Sequence, residues 1–137
     1  MANFRLNADK AVFDTLNVQA MLNLAIGGVY NAQAPQQVKP PFVVFQMLSK
    51  EDENSFNGRY ANALYMVKAV SKSPWPKEAM DVDTQIDTLM EDATLTITGY
   101  TALHCRRERD LALVEEVDAG ETYQHVGGIY RVKADQT

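Results

Sequence analysis

His104-Cys105-Arg106-Arg107 sets a thiol beside an imidazole and two guanidinium groups, the kind of cationic surrounding that lowers a thiol pKa and makes a nucleophile. On a strand, however, successive side chains point to opposite faces, so Cys105 shares its face with Leu103 and turns away from His104. The two do not pair as a catalytic dyad, and a lone cysteine of this kind reads as a small buried hydrophobe. Asp81-Val82-Asp83 with Asp87 offers hard oxygen ligands of the type that suit magnesium or calcium. On a helix Asp81 and Asp83 diverge, and the same residues read as a solvated acidic face. His125 has no Asp or Ser at a diagnostic spacing, and no G-x-S-x-G, P-loop or H-E-x-x-H pattern occurs. The residues therefore assign no catalytic group, no metal site and no cofactor. A small metal-dependent hydrolase using Asp81, Asp83, His104 or His125 stays as the enzymatic alternative.

Two further groups of residues bear on binding rather than on catalysis. Arg106-Arg107-Glu108-Arg109-Asp110 mixes charge signs, which suits salt bridges across a subunit boundary better than a phosphate track, although a solvated strand tip has the same composition. Phe42, Phe45, Tyr60, Tyr65, Tyr123 and Tyr130 concentrate aromatics on the expected strands, most of them as core. From these groups the expected subunit or partner interface comprises Arg106, Arg107, Arg109, Tyr60, Leu64 and Met66.

The elements that must position these residues follow from periodicity. Asn7 is expected to cap a helix with its apolar face at Ala8, Ala11, Val12 and Leu16, and a second helical stretch through Val18, Met21, Leu22 and Ala25 ends at Gly27-Gly28. Val29-Tyr30 reads as a short extended piece, followed by a proline-bearing loop from Asn31 to Pro41. Phe42 to Leu48 is apolar on both alternating sets and reads as a central strand. A polar, acidic run from Lys50 to Gly58, with a turn at Asn57-Gly58, joins it in a hairpin to a strand from Arg59 to Ser71. Ser73-Pro74-Trp75-Pro76 opens a helix running to about Glu91, with a buried stripe at Ala79, Val82, Ile86, Leu89 and Met90. Ala93, Leu95 and Ile97 alternate with threonines as a half-buried strand. Thr101 to Val117, interrupted near Glu108 to Asp110, and Tyr123 to Lys133 form a second hairpin through Asp118-Ala119-Gly120. Gly127-Gly128 marks a bulge or a close backbone contact in the last strand, and Asp135-Gln136-Thr137 should fray. The expected fold class is α+β: a mainly antiparallel sheet with N-terminal helices and one long amphipathic helix packed on it.

Composition bounds the function class. A chain of 137 residues with net charge −5 and one cysteine is expected to be a single domain spanning 1–137, large enough to hide roughly 68% of its extended-chain surface without disulfides or a structural metal. The acidic balance argues against binding nucleic acid by counterion release, and no apolar run approaches the length that spans a bilayer. The N-terminus lacks the charged and apolar regions of a signal peptide, so the expectation is a chain made and kept soluble in a cytoplasm. Apolar residues on both faces of two strands leave a surplus that the helices on one face do not cover, and a neighbouring subunit is the simplest cover.

Two stretches resemble a known family. GGVYNAQAPQQVKPPFVVFQMLSKED (Gly27 to Asp52) and GYTALHCRRERDLALVEEVDAGETYQHVGGIYRVKA (Gly99 to Ala134) are similar to the tail-completion, or tail-terminator, proteins of long-tailed bacteriophages and related prophage or gene-transfer particles. The shared features are a helix-ending glycine, a Val-Tyr piece, a proline-bearing loop, a Pro-aromatic-Val-Val-aromatic strand, and a closing Tyr-x-His-x-Gly-Gly-Ile-Tyr-Arg-Val. The likeness extends from about Asn7 to Ala134. It implies a non-enzymatic virion subunit in the neck of the tail, assembled in the host cytoplasm as a ring, commonly a homohexamer, on the head-proximal end of the tail tube. The implied partners are other copies of itself, the major tail tube protein and the head-completion or connector protein. DNA would pass through the acidic lumen without specific binding, and no membrane is involved. A different neck component, such as a head-completion or stopper protein, is the alternative within the same setting.

Overall fold

The structure, a computed structural model, describes residues 3–55, 58–117 and 120–136. Asn57, Asp118, Ala119 and Thr137, which the expected turns and frayed end include, lie outside them. The elements run α1 (Phe4–Leu16), α2 (Gln19–Leu22), β1 (Val29–Asn31), β2 (Phe42–Ser55), β3 (Gly58–Ser71), α3 (Lys77–Met90), β4 (Tyr100–Val117) and β5 (Glu121–Gln136). Asn3, not Asn7, caps α1: its side chain accepts the Leu6 N–H at 3.1 Å, while the Asn7 amide donates to the Thr98 carbonyl at 3.1 Å. The buried face of α1 is Phe4, Ala8, Ala11, Val12 and Leu16. The second helical stretch closes after one turn, well before Gly27.

The strands form one five-stranded sheet in the order β1-β2-β3-β5-β4. It corrects the expected fold class. β1 pairs parallel with β2, so the sheet is mixed, and strands of 14 to 18 residues dominate over helices of 13, 4 and 14 residues. There is thus no long helix laid on a mainly antiparallel sheet. The parallel pairing arises because the loop after β1 carries the chain back to lay β2 alongside it, with Val29 beside Val43. Phe42 to Leu48 enters the sheet interior as expected, with β1 on one side at Val43, Val44 and Phe45 and β3 on the other; beyond Phe45 the outer edge of β2 has no strand beside it among the described residues.

Three more expectations change. The acidic run from Lys50 to Ser55 is strand, because it pairs residue for residue with Ala63 back to Gly58 and its charges are matched locally, Asp52 with Lys50 at 2.7 Å and with Arg59. Ala93 to Thr98 forms no strand. Leu95 and Ile97 are buried and the threonines exposed, as alternation requires, but the flanking backbone bonds go elsewhere, Asp92 N–H to the Cys105 carbonyl at 2.8 Å and Tyr100 N–H to Ile97 at 3.0 Å. The interruption near Glu108 is a bulge in a continuous β4, with a second bulge at Leu103.

All three helices lie on one face of the sheet. Beneath them β3 presents Ala61, Ala63, Val67 and Ala69, small enough for close helix approach, and α3 buries Ala79, Val82, Ile86 and Met90. Tyr65 and Tyr130, cross-strand neighbours and fully buried, rise from this face. The Tyr65 hydroxyl donates to Asp9 of α1 at 2.6 Å and the Tyr130 hydroxyl to Asp87 of α3 at 3.0 Å, so each tyrosine pins one helix. Burial pushes both phenol pKa values up.

Candidate assembly surface

Arg107 lies on the helix face, two residues from the buried Cys105. Its guanidinium spans both oxygens of Asp83, meets Asp110 at 3.0 Å and Asp87 at 3.3 Å, and donates to the Tyr130 hydroxyl at 3.0 Å. Its backbone N–H donates to the Glu91 carboxylate at 2.7 Å. Burial pulls the Arg107 pKa down, but the hydrogen bonds to Asp83 and Tyr130 outweigh it, and the net direction is up. Gly128 makes this possible. A Cβ there would stand 2.4 Å from the Arg107 Nε, so any larger residue would occupy the space of the guanidinium. Gly127 is equally tight, with the Val67 carbonyl 2.1 Å from where its Cβ would be, which supports the close-contact reading of the pair; β5 itself runs through it without a bulge.

The opposite face of the sheet has no helix on it. Phe42, Val44, Leu64, Met66 and Ile129 give it an apolar centre, half-buried for the most part. Polar residues knit its other half across four strands: Arg131 donates to Glu108 at 2.7 Å and to the Asn62 side-chain oxygen, Asn62 donates to Glu53 at 2.8 Å, and Lys133 meets Glu53 at 3.3 Å. At the other end the loop after β1 folds over to form an open groove of about 380 Å³ between Pro35, Val38 and the β2–β3 surface. His125 borders it, its Nε2 3.1 Å from Glu115 and its buried Nδ1 without a partner. Lys68 lies there too, its pKa lowered by burial and partly restored by Glu115.

The structure separates the residues that suggested chemistry. Cys105 is buried in the core while His104 falls on the helix-free face, and burial, aided by Glu91 and Asp92, pushes the thiol up to about 12. Asp83 is occupied by Arg107, Asp81 by Lys77 at 2.8 Å, and no group of three or more metal-ligating side chains gathers among the described residues. The six expected interface residues divide. Tyr60, Leu64 and Met66 stand on the helix-free face, half-buried; Arg106 and Arg109 are exposed on the edge strand β4; Arg107 is turned inward. Sequence reasoning missed the set around Arg107, although alternation from Cys105 places a charge on the buried face and so demands an acidic partner there. No helix among the described residues is long and apolar enough to cross a membrane.

A family model described as Tail completion protein gp17 matches residues 10–126. The chain belongs to that family. Membership makes it a structural component of a phage-like virion tail, as the resemblance of Gly27 to Asp52 and Gly99 to Ala134 implied. The fold is also that of a solved chain described as "Virion of native gene transfer agent (GTA) particle", with TM-score 0.77 at 14% identity over 98% of this chain and 99% of that one. A second solved chain aligns with TM-score 0.55 at 12% identity, covering 95% of this chain and 96% of its own. A search of curated proteins returns no match to the sequence. In this tail completion protein the helix-free face and the two sheet edges are therefore the surfaces to weigh for assembly.

Proposed function

We propose that this tail completion protein forms a ring, of six copies, on the head-proximal end of a tail tube, where it ends tube growth and presents the surface to which the head connector docks. The observation that carries the reading is the helix-free sheet face, whose apolar centre around Leu64, Met66 and Ile129 is only half-buried within the protomer. Seating on the tube end gives this face a surface to pack against and at the same time occupies the surface on which the next tube subunits would add. Tyr60, Leu64, Met66, Arg106 and Arg109 are the contact residues toward other copies and the tube. The role is one of geometry and needs no catalytic step or cofactor. With a net charge of −5 per copy, six copies give an acidic lumen through which DNA passes without sticking.

The test is electron microscopy of particles assembled without the protein. Overlong, headless tails beside filled, tailless heads are expected. Tails of normal length joined to heads would overturn the reading, and short tails attached to no head would point to a different neck component.

A further inference from the structure

Both edges of the sheet are open over matching lengths. β1 covers β2 only at Val43, Val44 and Phe45, so the outer edge of β2 beyond Phe45 has no strand beside it, and β4 forms the opposite edge along its whole length. Following the pairing across the sheet, Gln46 lies level with Met66, Ile129 and Arg109, and Glu53 lies level with Tyr60, Asp135 and Thr101. The free half of β2 and the first half of β4 thus occupy the same rows on opposite sides of the protomer.

Three features of these edges bear on how they meet. First, β2, β3, β5 and β4 alternate in direction, so an identical neighbour placed edge to edge brings β4 antiparallel to the next β2 and continues the alternation. Second, the charges are complementary. His104 shares a row with Glu51, and Arg106 shares the next row on that face with Ser49, diagonal to Glu51 and within reach of a long side chain. The Glu51 side chain has no hydrogen bond or ion pair among the described residues, and Arg106 has one exposed contact, to Asp92 at 3.4 Å. Third, each edge carries one leucine pushed out at a bulge: Leu48 on β2, 48% exposed, and Leu103 on β4, 52% exposed.

From these we propose that copies join head to tail along their sheet edges, with the basic first half of β4 docked on the acidic second half of β2 of the next copy. The inference rests on the ring reading above and names its seam. A closed ring has no rise from one copy to the next, so with strands along the ring axis the rows stay level, and level rows are what bring His104 and Arg106 to Glu51. The bulges at Leu48, Leu103 and Glu108 break a continuous backbone ladder, so side-chain charge carries the contact; Leu48, at the level of Arg106 and Arg107, and Leu103, at the level of Glu51 and Asp52, each add apolar area at a separate row. The seam is accordingly salt-sensitive.

The experiment is sedimentation velocity of the full chain at low and high salt, alone and with tail tubes. The variants are Arg106→Glu, Glu51→Arg and the two combined. Neither side chain supports the protomer fold, and circular dichroism melts identical to wild type check this. Each single reversal is expected to weaken self-association about tenfold at low salt, and the combined variant to recover it to within about threefold. Mixing the two single variants should also restore assembly, because a ring that alternates them sets opposite charges across every junction, whereas either variant alone sets two like charges there. If wild type assembles and both single variants assemble equally well, the seam is wrong and the ring reading stands. Wild type that stays monomeric even on tube ends would remove both.

Discussion

The arrangement around Arg107 makes a sharp claim about stability. Replacing it by Met keeps an unbranched stem and deletes the charge, leaving the Asp83 carboxylate, only 17% exposed, with no counter-charge, and removing a donor from the Tyr130 hydroxyl. Truncating one partner of a buried ion pair costs about 3–5 kcal/mol because the other charge stays behind desolvated. Here the Arg107 side chain is 14% exposed and some water reaches both groups, which places the expected loss for Arg107→Met near the lower end, about 2–3 kcal/mol. For a domain of this size that is a fall in Tm of roughly 10 °C. Asp83→Asn alone should cost about 2 kcal/mol, and the double variant little more than either single one, a coupling of about 2 kcal/mol in a double-mutant cycle. Urea unfolding with an unchanged m-value is the assay. Arg107→Lys should fall in between, since an ammonium cannot span both carboxylate oxygens. Additive single losses, or a loss below about 0.5 kcal/mol for Arg107→Met, would refute the idea that this contact clamps α3 to the β4–β5 hairpin.

Other outcomes follow from single contacts. Gly128→Ala should destabilise by about 1–3 kcal/mol, read by thermal melting, because the new methyl displaces the guanidinium; combined with Arg107→Met the penalty should largely vanish. Cys105 should resist a thiol-reactive dye at pH 8 in the folded protein and react at once in denaturant, since burial pushes its pKa up to about 12. The sign for stability follows: the unfolded thiol ionises from about 9, so the contribution of Cys105 is complete below that pH and is lost as pH rises toward 12, a loss that Cys105→Ala should abolish in a pH series of urea midpoints. Asn3→Ala should cost about 1 kcal/mol as the loss of a helix cap, more than an exposed surface change would, as measured by urea unfolding.

The sequence announced those parts of the fold in which a periodic pattern coincides with a local physical cause. The stripe Ala79, Val82, Ile86 and Met90 after two prolines specifies α3, and the small odd-numbered residues of β3 specify the face that accepts it. What was hidden depends on partners distant in sequence. Lys50 to Ser55 has the composition of a loop and is strand only because β3 lies beside it and Arg59 and Lys133 answer its carboxylates. Leu95 and Ile97 alternate as a strand would but have no partner edge. The parallel pairing of β1 leaves no local trace, because a three-residue strand has too few positions to show a period. At the candidate surface, alternation along β3 set Tyr60, Leu64 and Met66 on the face opposite its small residues. The role of Arg107 was not legible, because its acidic partners lie on α3, two dozen residues earlier in the chain.

Arg106 and Arg107 show how one strand serves two purposes by alternation alone. The inward guanidinium is fully engaged by Asp83, Asp87, Asp110 and Tyr130, and fixes the helix layer to the sheet. The outward one has a single exposed contact and remains available. Under the ring reading this division has a consequence for timing. An edge able to form an uninterrupted ladder would polymerise as soon as it folded, whereas an edge interrupted at Leu103 and Glu108 associates through matched charges and a few apolar contacts, weakly between free copies. On a tube end neighbouring copies are held side by side, and the same weak seam then closes at high effective concentration. The bulges that blunt the sheet edges and the unpaired Glu51 would then be parts of one device: a subunit that associates weakly in solution and would close into a ring where the tube ends.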